Sequence, residues 1–172
     1  YLEIILNMNN KELQYNSSSG NCLYDSTSKL INKLILSNQD YFEMLKQSFY
    51  VYFNNQLVDE LLETPLDENK VRLLVGNFYE LNKDDYSLFI VDGEDPKILK
   101  NKNWGGELEL NIISKLFNVK IQIYNSEGFR NSHNYNVSNS IYQIDLAYIS
   151  PNHYNCTRNL DEEINTDNSE NV

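Results

Sequence analysis

The order of the hydrophobic patterns along this chain constrains its fold most strongly. Apolar residues recur at helical spacing through most of the sequence, and strict alternation of apolar and polar residues follows near its end. The predicted helices cover residues 22–36, 40–62 (in one piece or two), 65–81 and 105–117; the predicted strands cover residues 119–124, 142–148 and a segment that begins at residue 153; residues 82–103 and 125–140 are predicted mostly as loop. Helices first, then strands with one intervening helix, indicate an α+β domain.

The charge of the chain argues against one class of partner. A net charge of −11 over 172 residues repels phosphate backbones, so nucleic-acid binding is not expected as the main function. Five acidic residues and no basic ones lie in residues 161–172, which we expect to be an acidic tail, mobile or a linker. No uncharged apolar stretch approaches the ~18 residues of a membrane helix, so no membrane span is predicted.

Two cysteines and two histidines contain every thiol nucleophile and every imidazole base of the chain. So few cysteines exclude a disulfide scaffold. A zinc site would need all four residues or help from carboxylates, and no Cys-x-x-Cys pair indicates one.

Cys22 differs from Cys156 in its setting. It follows Ser-Gly-Asn and opens a predicted helix, where unpaired N–H groups and partial positive charge favour a thiolate and a developing oxyanion. Cys156 lies in a predicted strand without these features. For either residue, the alternative is that of a small buried side chain.

His153 lies just after a turn, and Asn155 follows two residues later. Residues i and i+2 of a strand point to the same face, so the amide of Asn155 can hydrogen-bond the imidazole and fix its tautomer. His133, in an Asn-rich loop, is predicted to be a surface residue. A purely structural role is the alternative for His153 when it is considered alone. An early helical Cys and a late His on a strand match the layout of papain-like cysteine peptidases, although the papain fingerprint around the Cys is missing.

Four blocks of sequence make the resemblance more specific. They are Gly20-Asn21-Cys22-Leu23-Tyr24, the segment Trp104-Gly105-Gly106-Glu107-Leu108-Glu109-Leu110, residues 116–124 (Leu-Phe-Asn-Val-Lys-Ile-Gln-Ile-Tyr), and Leu146-Ala147-Tyr148 before His153-Tyr154-Asn155. Together the blocks resemble the ovarian tumour (OTU) family of deubiquitinating cysteine proteases. The resemblance implies a papain-like α+β fold with a small central β-sheet packed between helices, formed by residues 1–160.

The resemblance also implies a chemistry. Cys22 would be the nucleophile, His153 the general base and then acid, and Asn155 the residue that orients the imidazole. The N–H of Cys22 and the loop Ser19-Gly20-Asn21 would form the oxyanion hole, and the bond cleaved would follow the C-terminal glycine of ubiquitin. No metal and no organic cofactor are implied.

One position departs from the family pattern. The family usually has Asp three residues before the nucleophile, where this chain has Ser19. Ser also forms local bonds to the backbone, so we predict an active enzyme. A Ser19→Asp variant with a hundredfold or greater gain in turnover would contradict the view that Ser is a compatible substitute for Asp at this position.

Three further features have a structural and a functional interpretation. Trp104 is either a core anchor or a wall of the channel that admits the Gly-Gly end of ubiquitin. Glu109 is predicted to form a structural hydrogen bond rather than act in catalysis. The acids of residues 84–95 are either a solvated surface or a contact for the arginines of ubiquitin's tail.

The expected partner is ubiquitin or a polyubiquitin chain, bound by a monomer in the cytosol of a eukaryotic cell. A microbial or viral effector delivered into a host and a eukaryotic housekeeping enzyme both fit the composition. Two alternatives to a deubiquitinase remain: a ubiquitin-binding module of the same fold that has lost turnover, and a cysteine protease acting on a ubiquitin-like modifier.

Overall fold

The computed structural model describes residues 2–14, 20–90, 96–99, 105–125, 133–135, 139–149 and 153–160. Its helices are α1 (Leu2–Met8), α2 (Cys22–Ser37), α3 (Gln39–Tyr52), α4 (Asn55–Leu62), α5 (Glu68–Leu81), a 3-10 helix (Lys83–Phe89) and α6 (Glu107–Leu116); its strands are β1 (Lys11–Gln14), β2 (Lys120–Asn125), β3 (His133–Tyr135), β4 (Gln143–Ile149) and β5 (His153–Asn159). The predicted α+β class is confirmed. The predicted helix over residues 40–62 divides into two pieces, α3 and α4.

Five strands form one mixed sheet in the order β1-β5-β4-β2-β3. Strands β2 and β4 run parallel, and the other neighbouring strands run antiparallel. In the pairing of β4 with β5, Ile149 lies opposite His153 and Ala147 lies opposite Asn155. This register places His153 and Asn155 on one face of β5.

Helices cover both faces of the sheet. On one face, Leu2 and Leu6 of α1 pack with Ala147 in a small cluster. On the other face, the sheet and the remaining α-helices share one large core, whose members include Leu30, Ile31, Leu45, Val58, Val75, Leu116, Ile121, Ile123, Ile144 and Leu146. The sheet is therefore packed between helices, as predicted.

Asn and Asp side chains fix the starts of three helices. Asn38, Asn54 and Asp67 precede α3, α4 and α5, and each side chain accepts a hydrogen bond from the backbone N–H three residues later. The helix predicted to begin at Pro65 begins instead at Glu68. The helix begins later because Asp67 is its N-cap residue. Asp67 has extended backbone angles, and its side chain accepts a hydrogen bond from an N–H group of the first helical turn.

Two segments predicted as loop contain regular structure. Residues 83–89 form a 3-10 helix that is kinked at Tyr86. The buried ring of Tyr86 packs beside Phe78 and Tyr79 of α5, which fixes this segment against the core. Residues 133–135 form a short strand paired with β2. Three residues are too few to show a strand pattern in the sequence.

No helix in the described part of the chain is long and apolar enough to cross a membrane.

Candidate active site

Cys22 is the first residue of α2, as the sequence predicts. Its side chain is buried, with the residue only 1% exposed, and its Sγ accepts a hydrogen bond from the backbone N–H of Tyr154 at 3.3 Å. Tyr154 lies between His153 and Asn155 on β5. The helix start therefore meets the strand at the residue that separates the other two candidate site residues.

A second pair of bonds fixes α2 against β5 one helical turn later. Ser26 donates from Oγ to the carbonyl oxygen of Tyr154 at 3.3 Å. Cys156 donates from Sγ to the carbonyl oxygen of Ser26 at 3.5 Å. Because Cys22 and Ser26 are four residues apart, they lie on one face of the helix and bind the N–H and the C=O of the same strand residue.

His153 and Asn155 form the contact that their i, i+2 spacing predicts. The imidazole Nε2 lies 2.8 Å from Oδ1 of Asn155, and Asn155 is fully buried. The other ring nitrogen, Nδ1, is buried and forms no hydrogen bond with any residue that the structure describes. An amide oxygen can only accept, so Nε2 carries the proton and Nδ1 holds the lone pair.

Two opposing effects act on the pKa of the Cys22 thiol. Burial raises its pKa above the ordinary value of 9.0, and the backbone N–H groups of Tyr154, Leu23 and Cys22 itself oppose this effect without cancelling it. The sequence-based expectation of a thiolate favoured by the helix N-terminus stays a prediction, and burial of the side chain opposes it. The helix N–H groups do act in the expected direction, but desolvation is the larger effect.

The loop before Cys22 is held by a side chain of α5 that the sequence analysis did not single out. Arg72 donates from Nη2 to Oδ1 of Asn21 at 2.6 Å and to the carbonyl oxygen of Gly20 at 3.3 Å. Both Gly20 and Asn21 are buried. The sequence did contain a sign that this residue is special, because the positive charge at position 72 falls on the same face of the predicted helix as the apolar residues Val75 and Tyr79.

The start of α6 lies directly against α2. A Cβ on Gly105 would meet Cδ2 of the buried Leu23 at 2.5 Å, so only glycine permits this approach. Glu109 accepts a hydrogen bond from the N–H of Gly106 at 2.7 Å, which is the structural bond predicted for it. This contact caps the helix that follows Gly105, the residue beside Leu23.

Several predicted features lie outside the described residues. These are Ser19, Trp104, the acids Asp92, Glu94 and Asp95, and the tail of residues 161–172. Asp84 and Asp85 lie in the first turn of the 3-10 helix.

The second cysteine and the second histidine also lie on strands of the sheet. Cys156 is buried in β5, and burial raises the pKa of its thiol to about 11. His133 begins β3, where its backbone pairs with Ile123 of β2. Within the described residues, no group of three or more His, Cys, Asp or Glu side chains is arranged to hold a metal ion.

A thiol at the start of a helix, hydrogen-bonded to the strand that carries a His–Asn pair, is the arrangement of papain-like cysteine peptidases. The sequence model of the family described as OTU-like cysteine protease matches residues 17–158, so this chain belongs to the OTU family. Comparison with curated proteins gave no significant match.

Solved structures share the fold at low sequence identity. The OTU domain of OTUD1 is 17% identical with a TM-score of 0.63, and the alignment covers 91% of each chain. An OTU deubiquitinase from Wolbachia pipientis wMel bound to ubiquitin is 10% identical with a TM-score of 0.58, covering 90% of this chain and 99% of that one. The ceOTUB1 chain in a complex with ubiquitin aldehyde and UBC13~Ub is 18% identical with a TM-score of 0.64, covering 87% and 80%.

Proposed function

We propose that this chain is a deubiquitinase that hydrolyses the isopeptide bond after the C-terminal glycine of ubiquitin. The observation that carries the proposal is the 2.8 Å contact between His153 and Asn155 on the strand whose Tyr154 N–H binds the Cys22 thiol, with Nδ1 of His153 as the proposed base. This arrangement suits acyl transfer through a thiol nucleophile.

In the first half of the reaction, Nδ1 of His153 takes the Sγ proton of Cys22. The thiolate attacks the carbonyl carbon of the isopeptide and forms a tetrahedral intermediate with negative charge on its oxygen. The imidazolium then gives its proton to the leaving lysine amine, and a thioester joins Cys22 to ubiquitin. Asn155 supports both steps, because its Oδ1 accepts from Nε2 in the neutral and in the charged imidazole.

In the second half, His153 takes a proton from water, which attacks the thioester carbonyl. Collapse of the second tetrahedral intermediate releases ubiquitin with a free carboxylate and restores the protonated thiol. Burial raises the pKa of Cys22, so a base is needed to remove its proton, and we propose His153 in that role.

The oxyanion is proposed to form at the start of α2. The Cys22 N–H, with the loop of Ser19, Gly20 and Asn21, would donate hydrogen bonds to it, and the positive end of the helix adds to their effect. The N–H groups of Cys22 and Leu23 already favour negative charge on the sulfur.

Ubiquitin as the substrate is supported by family membership and by relatives that were solved with it. The Wolbachia enzyme was solved bound to ubiquitin, and the ceOTUB1 chain was solved in a complex with ubiquitin aldehyde. We further propose that Trp104 forms one wall of the channel for the ubiquitin tail and that the acids near residues 84–95 bind its arginines. These contacts would act in a monomer, in the cytosol of a eukaryotic cell.

Residues 1–160 are proposed as the catalytic domain, with residues 161–172 as an acidic extension. Support for including the N-terminal segment comes from β1, whose residue Gln14 pairs with Cys156 of β5. The strand that carries His153 and Asn155 therefore has β1 as its neighbour on one side and β4 on the other.

The near-complete burial of Cys22 favours one alternative, a ubiquitin-binding module with weak turnover. Hydrolysis of ubiquitin-aminomethylcoumarin and of isopeptide-linked diubiquitin separates the two. We expect turnover by the wild type, loss of turnover in Cys22→Ala, and turnover within about twofold of the wild type in the matched control Cys156→Ala, which loses only a weak thiol hydrogen bond at 3.5 Å. Binding of ubiquitin without turnover in the wild type would favour the module, and turnover only of ubiquitin-like substrates would favour a modifier-specific protease.

A further inference from the structure

We infer that Arg72 is a positioning residue for the oxyanion site, holding the Asn21 side chain away from the first turn of α2. The inference rests on the proposed acyl transfer at Cys22. It concerns a residue on α5 that is remote in sequence from the four blocks shared with the family.

The first observation is the direction of the Asn21 side chain. Asn21 is the N-cap residue of α2, yet its side chain makes no capping hydrogen bond to that helix. Asn38 and Asn54 occupy the same position in α3 and α4, and each caps its own helix. Asn is among the best capping residues, so an additional interaction must compete with the cap at Asn21.

The second observation identifies that interaction. Nη2 of Arg72 donates to Oδ1 of Asn21 at 2.6 Å and to the carbonyl oxygen of Gly20 at 3.3 Å. A charged donor forms a stronger hydrogen bond than a backbone N–H does. The amide oxygen of Asn21 therefore binds the guanidinium of Arg72 rather than an N–H group of the helix. The N–H groups of the first turn are thereby left uncapped by Asn21.

The third observation is that the guanidinium is itself fixed. Arg72 is only 4% exposed, its Nη1 donates to the carbonyl oxygen of Ile98 at 2.7 Å, and its Cζ lies 4.2 Å from the ring centre of Tyr24. Tyr24 follows Cys22 by two residues, and Asn21 precedes it by one. Arg72 therefore contacts the chain on both sides of the thiol.

These contacts have a consequence for catalysis. An oxyanion needs N–H groups whose positions are fixed before charge develops. Without Arg72, the Gly20 carbonyl and the Asn21 side chain lose this anchor, so the N–H groups of Asn21 and Cys22 that we propose as oxyanion donors lose their fixed positions. Removal of Arg72 would therefore slow the steps that form an oxyanion, and it would leave the nucleophilicity of the Cys22 sulfur unchanged.

The test compares two reactions of Cys22 in a Cys156→Ala background. Acylation by p-nitrophenyl acetate places negative charge on the carbonyl oxygen, whereas alkylation by iodoacetamide forms an S–C bond and releases iodide without an oxyanion. We expect Arg72→Met to slow acylation about 10- to 100-fold, in the range for a weakened oxyanion donor set, and to change alkylation less than about twofold. Arg158→Met is the matched control, since Arg158 is ion-paired with Glu12 on the β1–β5 pair, and it should change neither rate.

The outcome that overturns the inference is an equal loss in both reactions, or no loss in either. If Arg72→Met does not fold, as judged by its thermal unfolding, Arg72→Lys decides the question. One ammonium on a linear chain cannot bind both the Asn21 and the Ile98 oxygens, so acylation should still fall relative to alkylation.

Two further measurements separate this inference from the proposed function. With ubiquitin-aminomethylcoumarin, Arg72→Met should lower kcat and leave KM within about twofold, because Arg72 orients donors for the transition state. If the wild type does not hydrolyse ubiquitin substrates, the proposed function fails, while the two small reagents still test the role of Arg72. In the variant Asn21→Ala, the Arg72→Met change should have a smaller effect on acylation than in the parent.

Discussion

The backbone N–H of Tyr154 donates to Sγ of Cys22 at 3.3 Å. The carbonyl of Tyr154 accepts from Ser26 at the same distance, so two residues on one turn of α2 hold one residue of β5. His153 and Asn155 flank that residue, and their distance from the thiol depends on this pair of bonds.

Ser26→Ala is expected to lower both stability and turnover. The change removes the buried hydrogen bond from Ser26 to the carbonyl of Tyr154, which costs about 1 kcal/mol of unfolding free energy. Ser37→Ala is the matched control, because Ser37 is exposed on the same helix and donates to the Lys33 carbonyl. Denaturant unfolding and kcat measure the two effects, and equal results for the two variants would contradict a special role for the Ser26 bond.

Asn155→Ala is expected to lower kcat about tenfold or more and to leave KM nearly unchanged, because the imidazole loses the acceptor that fixes its tautomer. Steady-state kinetics with ubiquitin-aminomethylcoumarin measure this. Asn159→Ala on the same strand is the control, since Asn159 is exposed and accepts from Lys11. A variant Asn155→Ala with full kcat would remove Asn155 from the mechanism.

The reaction of Cys22 with iodoacetamide is expected to accelerate with pH. Burial raises the thiol pKa above 9.0, so the thiolate fraction is small at neutral pH and keeps growing as the pH rises towards the pKa. In Cys156→Ala protein, the alkylation rate should rise without a plateau between about pH 6 and 9. A plateau that begins in the acidic part of this range would instead indicate a thiolate–imidazolium pair.

Gly105→Ala is expected to destabilise the protein, whereas Gly76→Ala is not. The added methyl group at position 105 meets the buried Leu23 at 2.5 Å, beside the Cys22 residue. At position 76 it meets Leu99, which is 47% exposed and can move, while alanine favours helix α5 by up to about 1 kcal/mol. Thermal unfolding of both variants tests this, and equal losses of stability would contradict it.

Neutralising Asp92, Glu94 and Asp95 together with Asn, Gln and Asn is expected to raise KM for ubiquitin substrates severalfold. The change removes negative charge that we propose faces the arginines of the ubiquitin tail. A triple Glu→Gln variant at the exposed positions 43, 60 and 63 changes the net charge equally and serves as the control. An unchanged KM in the first variant, or an equal rise in both, would leave these acids as a solvated surface.

Local pattern was sufficient to predict the elements that carry the thiol and the imidazole. Helix α2 begins at Cys22 because a loop of small polar residues precedes an apolar stripe, and β4 alternates cleanly between its two faces. The i, i+2 spacing predicted the contact of His153 with Asn155, since a strand fixes which side chains share a face.

Features that depend on distant contacts could not be predicted in this way. The packing of Tyr86 on α5 fixes the 3-10 helix at residues 83–89. Strand β3 is defined by its pairing with β2, which the three residues of β3 alone do not indicate. The contacts of Arg72 with Asn21 join residues far apart in sequence. The raised pKa of Cys22 arises from burial by the folded chain, whereas the sequence showed only the helix start.

The most direct test of the central claim is the reaction with full-length ubiquitin that carries a thiol-reactive group at its C-terminus. Intact-mass measurement should show one ubiquitin added to the wild type and to Cys156→Ala, and none added to Cys22→Ala. An adduct retained in Cys22→Ala, or wild-type protein that binds the probe without forming an adduct, would contradict acyl transfer through Cys22.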